Sequence, residues 1–104
     1  MAEPITSSDG KLQITRHSIV YPPMGPKSVQ GAVKNIGDTP SSAEIKVEFY
    51  DDAGNPLGQS TGVFEDIAPD EVRLFDIFAE RLPNMYEVES HKIISLRSVV
   101  QSES

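Results

Sequence analysis

Oxygen-bearing side chains are concentrated at one place in the chain, where Asp51, Asp52 and Asn55 lie within five residues. A calcium ion takes about six to eight oxygen ligands of this kind. The spacing differs from that of a known calcium loop, and no later glutamate completes it. These three residues are therefore weak candidates for a divalent cation site. We predict a solvated turn without a metal, which could gain ligands from the acidic stretch at 65–71 only if the fold brings it close.

Two histidines, His17 and His91, are the other side chains that could hold a metal. Structural zinc sites use about four ligands, and catalytic sites use about three with a water. The chain has no cysteine, so carboxylates would have to supply the remaining ligands. We predict that both histidines lie at the surface or at a sheet edge and that no metal or cofactor is bound.

Catalytic arrangements are not evident in the sequence. No serine stands in a G-x-S-x-G elbow, and the glycines are scattered rather than grouped in a phosphate-binding loop. A pair of carboxylates needs a deep cleft to raise one pKa, and a domain of 104 residues rarely forms one. The prediction is a protein that is not an enzyme.

Composition limits the classes of partner. The formal net charge of −7 disfavours nucleic acid, because phosphates repel an acidic surface. No apolar run approaches the roughly twenty residues that span a bilayer, and the first residues lack the basic and apolar regions of a signal peptide. We expect no membrane span and no signal peptide within these residues.

Period-two alternation is the dominant pattern and predicts β-strands. From Glu44 to Phe49 polar and apolar residues alternate, and the turn residues 51–56 then reverse the chain into a hairpin. Similar segments predict strands at 12–20, 28–36, 43–50, 57–64, 72–78 and 86–100, the last one bent or bulged near 90–92, where the alternation breaks. A single helical turn is expected at 79–85.

The expected architecture is all-β, an immunoglobulin-like antiparallel β-sandwich of six to seven strands. One domain covers 11–100, with flexible tails at 1–10 and 101–104. The strand register leaves Phe75 and Ile77 competing with Leu74 for the buried face of one strand. The residues expected in the core are Ile14, Val33, Ile45, Val47, Phe49, Phe75, Ile77 and Val88.

Three further positions have structural interpretations. Gly31 lacks a side chain, so a large neighbour such as Tyr50 or Phe75 can lie across it. The amide of Asn35 can satisfy backbone groups of the turn that follows. The carboxylate of Asp51 can accept backbone donors inside its own turn.

Three motifs resemble the FxLYD family: Gly31 to Asp38, the segment Ala43 to Gly54 with Phe49-Tyr50-Asp51, and Ile67-Ala68-Pro69-Asp70-Glu71 followed by Phe75. The similar region covers about 29–88. Asp70 stands where the family usually has Gly, and Ile67 stands for Leu. Members of that family are small immunoglobulin-like β-sandwiches found in bacterial and archaeal proteins. The resemblance therefore implies this fold and an extracytoplasmic or cell-surface location. It implies no established activity.

The functional prediction is a non-catalytic protein-interaction or spacer domain. The alternative is a ligand-binding module that uses the acidic turn residues for a weakly held divalent cation or a carbohydrate. An exposed strand edge offers unpaired N–H and C=O groups to another strand. We expect a monomer or weak dimer whose protein partner binds along the first long strand, Leu12 to Val20.

Overall fold

The fold is built from seven strands in two antiparallel sheets, as described by a computed structural model for residues 5–20, 27–79 and 87–99. The first sheet has the order β1-β2-β3-β6, and the second has the order β5-β4-β7. The strands are β1 (Ile5–Thr6), β2 (Leu12–Val20), β3 (Ser28–Asn35), β4 (Ser41–Tyr50), β5 (Pro56–Ile67), β6 (Val72–Phe78) and β7 (Ser90–Val99). Within these ranges, no helix is long and apolar enough to cross a membrane. The prediction of an all-β sandwich is confirmed.

Alternation places the apolar residues between the sheets. Ile45, Val47 and Phe49 of β4 are fully buried, and the polar residues between them lie on the outer surface. The ambiguity in β6 is resolved, because Phe75 and Ile77 are buried while Leu74 is 67% exposed. All eight residues expected in the core are buried; Leu12, Val29, Ala43, Ile67, Ala79, Ile93 and Leu96 join them.

Some boundaries differ from the sequence expectation. Residues Ile5–Thr6, expected within a flexible tail at 1–10, form β1 against β2. Strand β5 continues to Ile67, and β7 begins at Ser90 rather than Tyr86. The expected helical turn at 79–85 lies outside the described residues except for Ala79, which is buried and not helical. The C-terminal tail at 101–104 also lies outside them.

The described strand pairs contain four register shifts, two of them in β5, and the two in β2 and β7 reset which side chains of those strands face the core. In β2, Ile14 pairs with Val33 but Arg16 pairs with Ala32, so Thr15 is an extra residue. In β7, Ile93 pairs with Val47 and Ser95 with Lys46, so the irregularity lies at Ile94 rather than near 90–92 as expected. A bulge moves every later side chain to the opposite face of its strand. The inward positions after Thr15 are therefore His17 and Ile19.

At Gly31 the neighbouring strand and the Phe75 ring lie so close to the backbone that a side chain would not fit. Its neighbours in register are His17 on β2 and Phe75 on β6. A β-carbon at this position would lie 2.2 Å from the backbone oxygen of Arg16 and 2.7 Å from the Phe75 ring. The ring therefore lies across Gly31, one of the two arrangements expected from the sequence.

Candidate functional site

In the acidic turn between β4 and β5, the carboxylate of Asp51 is hydrogen-bonded to backbone N–H groups of the same turn. Oδ1 of Asp51 accepts N–H donors from Ala53 at 3.0 Å and from Asn55 at 2.9 Å. These backbone donors, led by the N–H of Asn55, lower the pKa of the Asp51 carboxyl group. Asp52 and Asn55 are exposed on the same turn. Asp51 therefore acts as the cap of a tight turn, as the sequence predicted.

The second acidic stretch cannot join this turn. Because β4 and β5 are antiparallel, the turn at 51–55 lies at one end of the hairpin and Ile67 lies at the other, opposite Ser41. The separation is roughly 30 Å for strands of this length. Glu71 instead binds Arg73 at 3.0 Å and accepts the N–H of Ala68 at 2.8 Å. Within the described ranges no three His, Cys, Asp or Glu side chains are grouped as metal ligands.

The two histidines meet across the sandwich, a contact that the sequence does not predict. Nδ1 of His17 on β2 lies 2.7 Å from Nε2 of His91 on β7. The rings are edge to face, with centroids 4.9 Å apart and planes at 87°. Each sheet thus supplies one of the two partners of this hydrogen bond. The bulge at Thr15 turns His17 inward, and without it alternation from Ile14 would place this side chain on the outer surface.

Partial burial sets the protonation of this histidine pair. The pKa of His17 lies below its usual value of 6.5 because burial disfavours the charged ring. Burial lowers the pKa of His91 from 6.5 as well, and the nearby His17 adds a repulsive contribution. Neither ring has a third metal ligand in the part of the chain that the structure describes. Near neutral pH the arrangement is a hydrogen bond between uncharged imidazoles.

Unpaired strand edges are the second kind of candidate binding site in this structure. Strand β2, expected to offer a free edge from Leu12 to Val20, pairs with β3 along its whole length and with β1 at Gln13 and Ile14. Its second half approaches β7, where the histidines meet. The expected edge is therefore only partly open.

Strand β5 offers a longer edge. Its twelve residues, Pro56–Ile67, pair only with β4 among the described residues. The segment from Pro56 to Phe64 contains no charged residue. An open groove of about 570 Å³ runs between β5 and β6, lined mainly by 59–64 and 76–78. Within it, the hydroxyl of Ser60 donates to the backbone oxygen of Phe78 at 3.0 Å, linking the two sheets.

Comparison of the chain with family models, with curated proteins and with solved structures finds no match.

Proposed function

We propose that this chain is a non-catalytic interaction module that binds an extended segment of a protein partner along the edge of β5. The observation that carries the proposal is a twelve-residue edge strand, paired on one side among the described residues, whose first nine residues carry no charge. Proteins that do not use such an edge usually protect it with lysines, inward-pointing charges or short strands. Between its two register shifts, the uncharged segment from Gly58 to Phe64 is suited to strand addition, whereas beyond it Arg73 donates to the backbone oxygens of Glu65 and Asp66.

The shape of this edge supports an extended ligand. The groove beside β5 follows the strand for several residues and is open rather than enclosed. Val63 is 54% exposed on the outer face of β5, where a neighbouring strand could pack against it. Backbone hydrogen bonds would supply affinity, and side chains such as Val63 would supply selectivity. This edge replaces Leu12–Val20 as the proposed contact, since β1 and β7 approach that strand.

The alternative of cation or carbohydrate binding at the acidic turn receives no support from the geometry. The oxygens of Asp51 already accept three donors from within the turn. The motif resemblance to the FxLYD family agrees with an interaction or spacer role and with an extracytoplasmic location. Both remain part of the proposal.

A peptide-display selection tests the proposed edge. Randomised peptides of about ten residues, long enough to lie along one strand, are selected against the folded chain. Binders are then mapped by changes in the backbone amide resonances. We expect the largest changes at 58–64 and bound peptides in extended conformation. A selection that gives no binder, or binders that map to the turn at 51–55, contradicts the proposal.

Two matched variants locate the contact. Val63→Lys places a charge beside the edge of β5, and Val72→Lys does the same on β6, where the valine is 51% exposed. Val63→Lys should weaken peptide binding by about tenfold or more, which corresponds to about 1.4 kcal/mol. Val72→Lys should leave binding unchanged. The reverse result would assign the interaction to the outer face of β6.

A further inference from the structure

We propose that His17 and His91 form an acid-sensitive latch that holds the β2 and β7 sides of the two sheets together and opens when both rings are protonated. The contact joins strands that do not pair with each other in either sheet. Its 2.7 Å distance requires one nitrogen to donate and the other to accept. The latch is therefore a direct link between the two layers that depends on protonation.

The surroundings of the pair are apolar on both sheets. His17 lies in register with Gly31, and the Phe75 ring lies over that glycine. His91 lies in register with Phe49, which is fully buried. Both histidines thus occupy the rim of the hydrophobic core. A charge placed there loses hydration without gaining a charged partner, and this is costly.

Lys27, which precedes β3, and Glu89, which precedes β7, form an ion pair at 3.9 Å near the latch, while the other charged groups on the neighbouring strands lie on the outer faces. His17, Gly31 and Phe75 are in register across the first sheet, and the adjacent residues Arg16 on β2 and Asp76 on β6 lie on its outer side. Lys92 on β7 pairs in register with Glu48 on β4, on the outer side of the second sheet. Strand β3 places uncharged Gln30 and Ala32 beside Gly31. Of the described groups, the only charge that contributes to the lowered pKa of His91 is His17.

Proton counting shows why two protons are needed. In the neutral pair one ring donates its N–H, and its other nitrogen is free to accept the first proton. That proton makes a charged donor and leaves the hydrogen bond in place. The second proton must add to the accepting nitrogen of the other ring, which removes the acceptor. Two donors and two positive charges then face each other, and the contact is lost.

The direction of the pH effect follows from the lowered pKa values. Both rings bind protons more weakly in the closed state than when exposed. The stabilisation is fully present above the ordinary histidine pKa of 6.5 and is lost as the pH falls through the lowered values. For each extra proton bound by the open state, the opening constant rises by up to about tenfold per pH unit.

Hydrogen exchange of the full chain between about pH 7 and about pH 5 tests the latch, with EDTA present to exclude metal binding. We expect protection factors at 16–20 and 90–93 to fall on acidification, by up to about tenfold per pH unit for each proton, relative to those of the β4–β5 pair. An equal change in all strands, or none at the histidines, overturns the proposal.

The control is the double variant His17→Gln with His91→Gln. Glutamine keeps one donor and one acceptor but does not titrate in this range, so the local pH dependence should vanish. The same pH dependence in this variant would overturn the proposal.

Imidazole titrations by NMR keep the test independent of whether the variant folds. In the unmodified chain both histidine pKa values should lie below 6.5, and the titration of each ring should depend on the protonation of the other. Two independent titrations at the ordinary value would show that the rings do not form the contact.

Discussion

Asn35 illustrates how one polar side chain can organise a corner of the sandwich. It is fully buried, and its amide group donates to the backbone oxygens of Thr39 and Ile67, each at 2.8 Å. Its side-chain oxygen accepts the N–H of Gly37 at 2.9 Å. One residue at the end of β3 thus joins its own turn to the end of β5. The sequence predicted the contact with the turn, because it is local, but not the contact with Ile67.

The loss of these bonds should be costly. Asn35→Ala leaves a buried carbonyl and its neighbours without partners, at about 1–3 kcal/mol for a buried unsatisfied group. We expect a loss of at least about 2 kcal/mol in the free energy of unfolding, measured by urea denaturation. The control, Asn55→Ala in the exposed turn, should stay within about 0.5 kcal/mol. Equal losses in the two variants would remove the special role of Asn35.

Gly31 gives a steric prediction. A methyl group there would meet the Arg16 backbone oxygen at 2.2 Å, and backbone cannot move aside cheaply. Gly31→Ala should destabilise the fold by about 1–3 kcal/mol, as overpacking does. The matched control is Gly37→Ala, whose nearest atom would be the Asn35 Oδ1 at 3.4 Å. Thermal denaturation separates them; a variant at Gly31 as stable as that at Gly37 would contradict the close packing of β2 on β3.

Strand identity followed from the sequence more closely than strand pairing did. The bounds of β2 and β6 and the inward set of β4 were predicted, because alternation is a local property of residue types. The bulge at Thr15 was not predicted, and the irregularity expected near 90–92 in the last strand lies at Ile94, since such positions depend on how a strand fits its neighbour. The histidine pair depends on such an irregularity in β2. For this reason its two members looked unrelated in the sequence, 74 residues apart.

The turn between β1 and β2 offers a titration prediction for these elements. Asp9 has its pKa lowered from 3.8 to about 2, first by the hydrogen bond from the Ser7 hydroxyl and then by that from Ser98 on β7. Because the folded value is the lower one, this contribution to stability is fully present above pH 3.8 and is lost as the pH falls through about 2. Asp9 thus connects the first hairpin to the second sheet.

Removal of either donor should raise this pKa. In an NMR titration of the side-chain carboxyl carbons, we expect Ser7→Ala and Ser98→Ala each to move the Asp9 value toward 3.8. Ser60→Ala, whose hydroxyl binds Phe78 instead, should leave it unchanged. An unchanged Asp9 titration in both of the first variants would mean that these hydroxyl groups do not bind the carboxylate in solution.

At the scale of the whole molecule, the two sides of the sandwich differ in how they are closed. On one side the histidine pair joins β2 to β7. On the other, β5 contributes Gly58, Ser60 and Gly62 to the inward face, so the core thins toward the groove. The rings of Phe64 and Phe75, whose centroids are 5.9 Å apart, fill part of this space. Of the described strands, β4 contributes the most buried apolar side chains, namely Ala43, Ile45, Val47 and Phe49, and it lies at the centre of its sheet.

Phe49 on β4 should consequently decide whether the domain folds at all. It is fully buried and is the largest of the fully enclosed side chains. Phe49→Ala removes its packing and leaves a cavity, with an expected loss of about 3–5 kcal/mol. Domains of this kind have a total stability of about 5–15 kcal/mol, so the variant should melt far below the parent or be unfolded. Leu74→Ala is the control, because Leu74 is 67% exposed and its truncation should change stability by about 0.5 kcal/mol or less. Calorimetry of the two variants distinguishes them; a Phe49→Ala melting curve close to that of Leu74→Ala would mean that the inward face of β4 is not the one that the structure assigns.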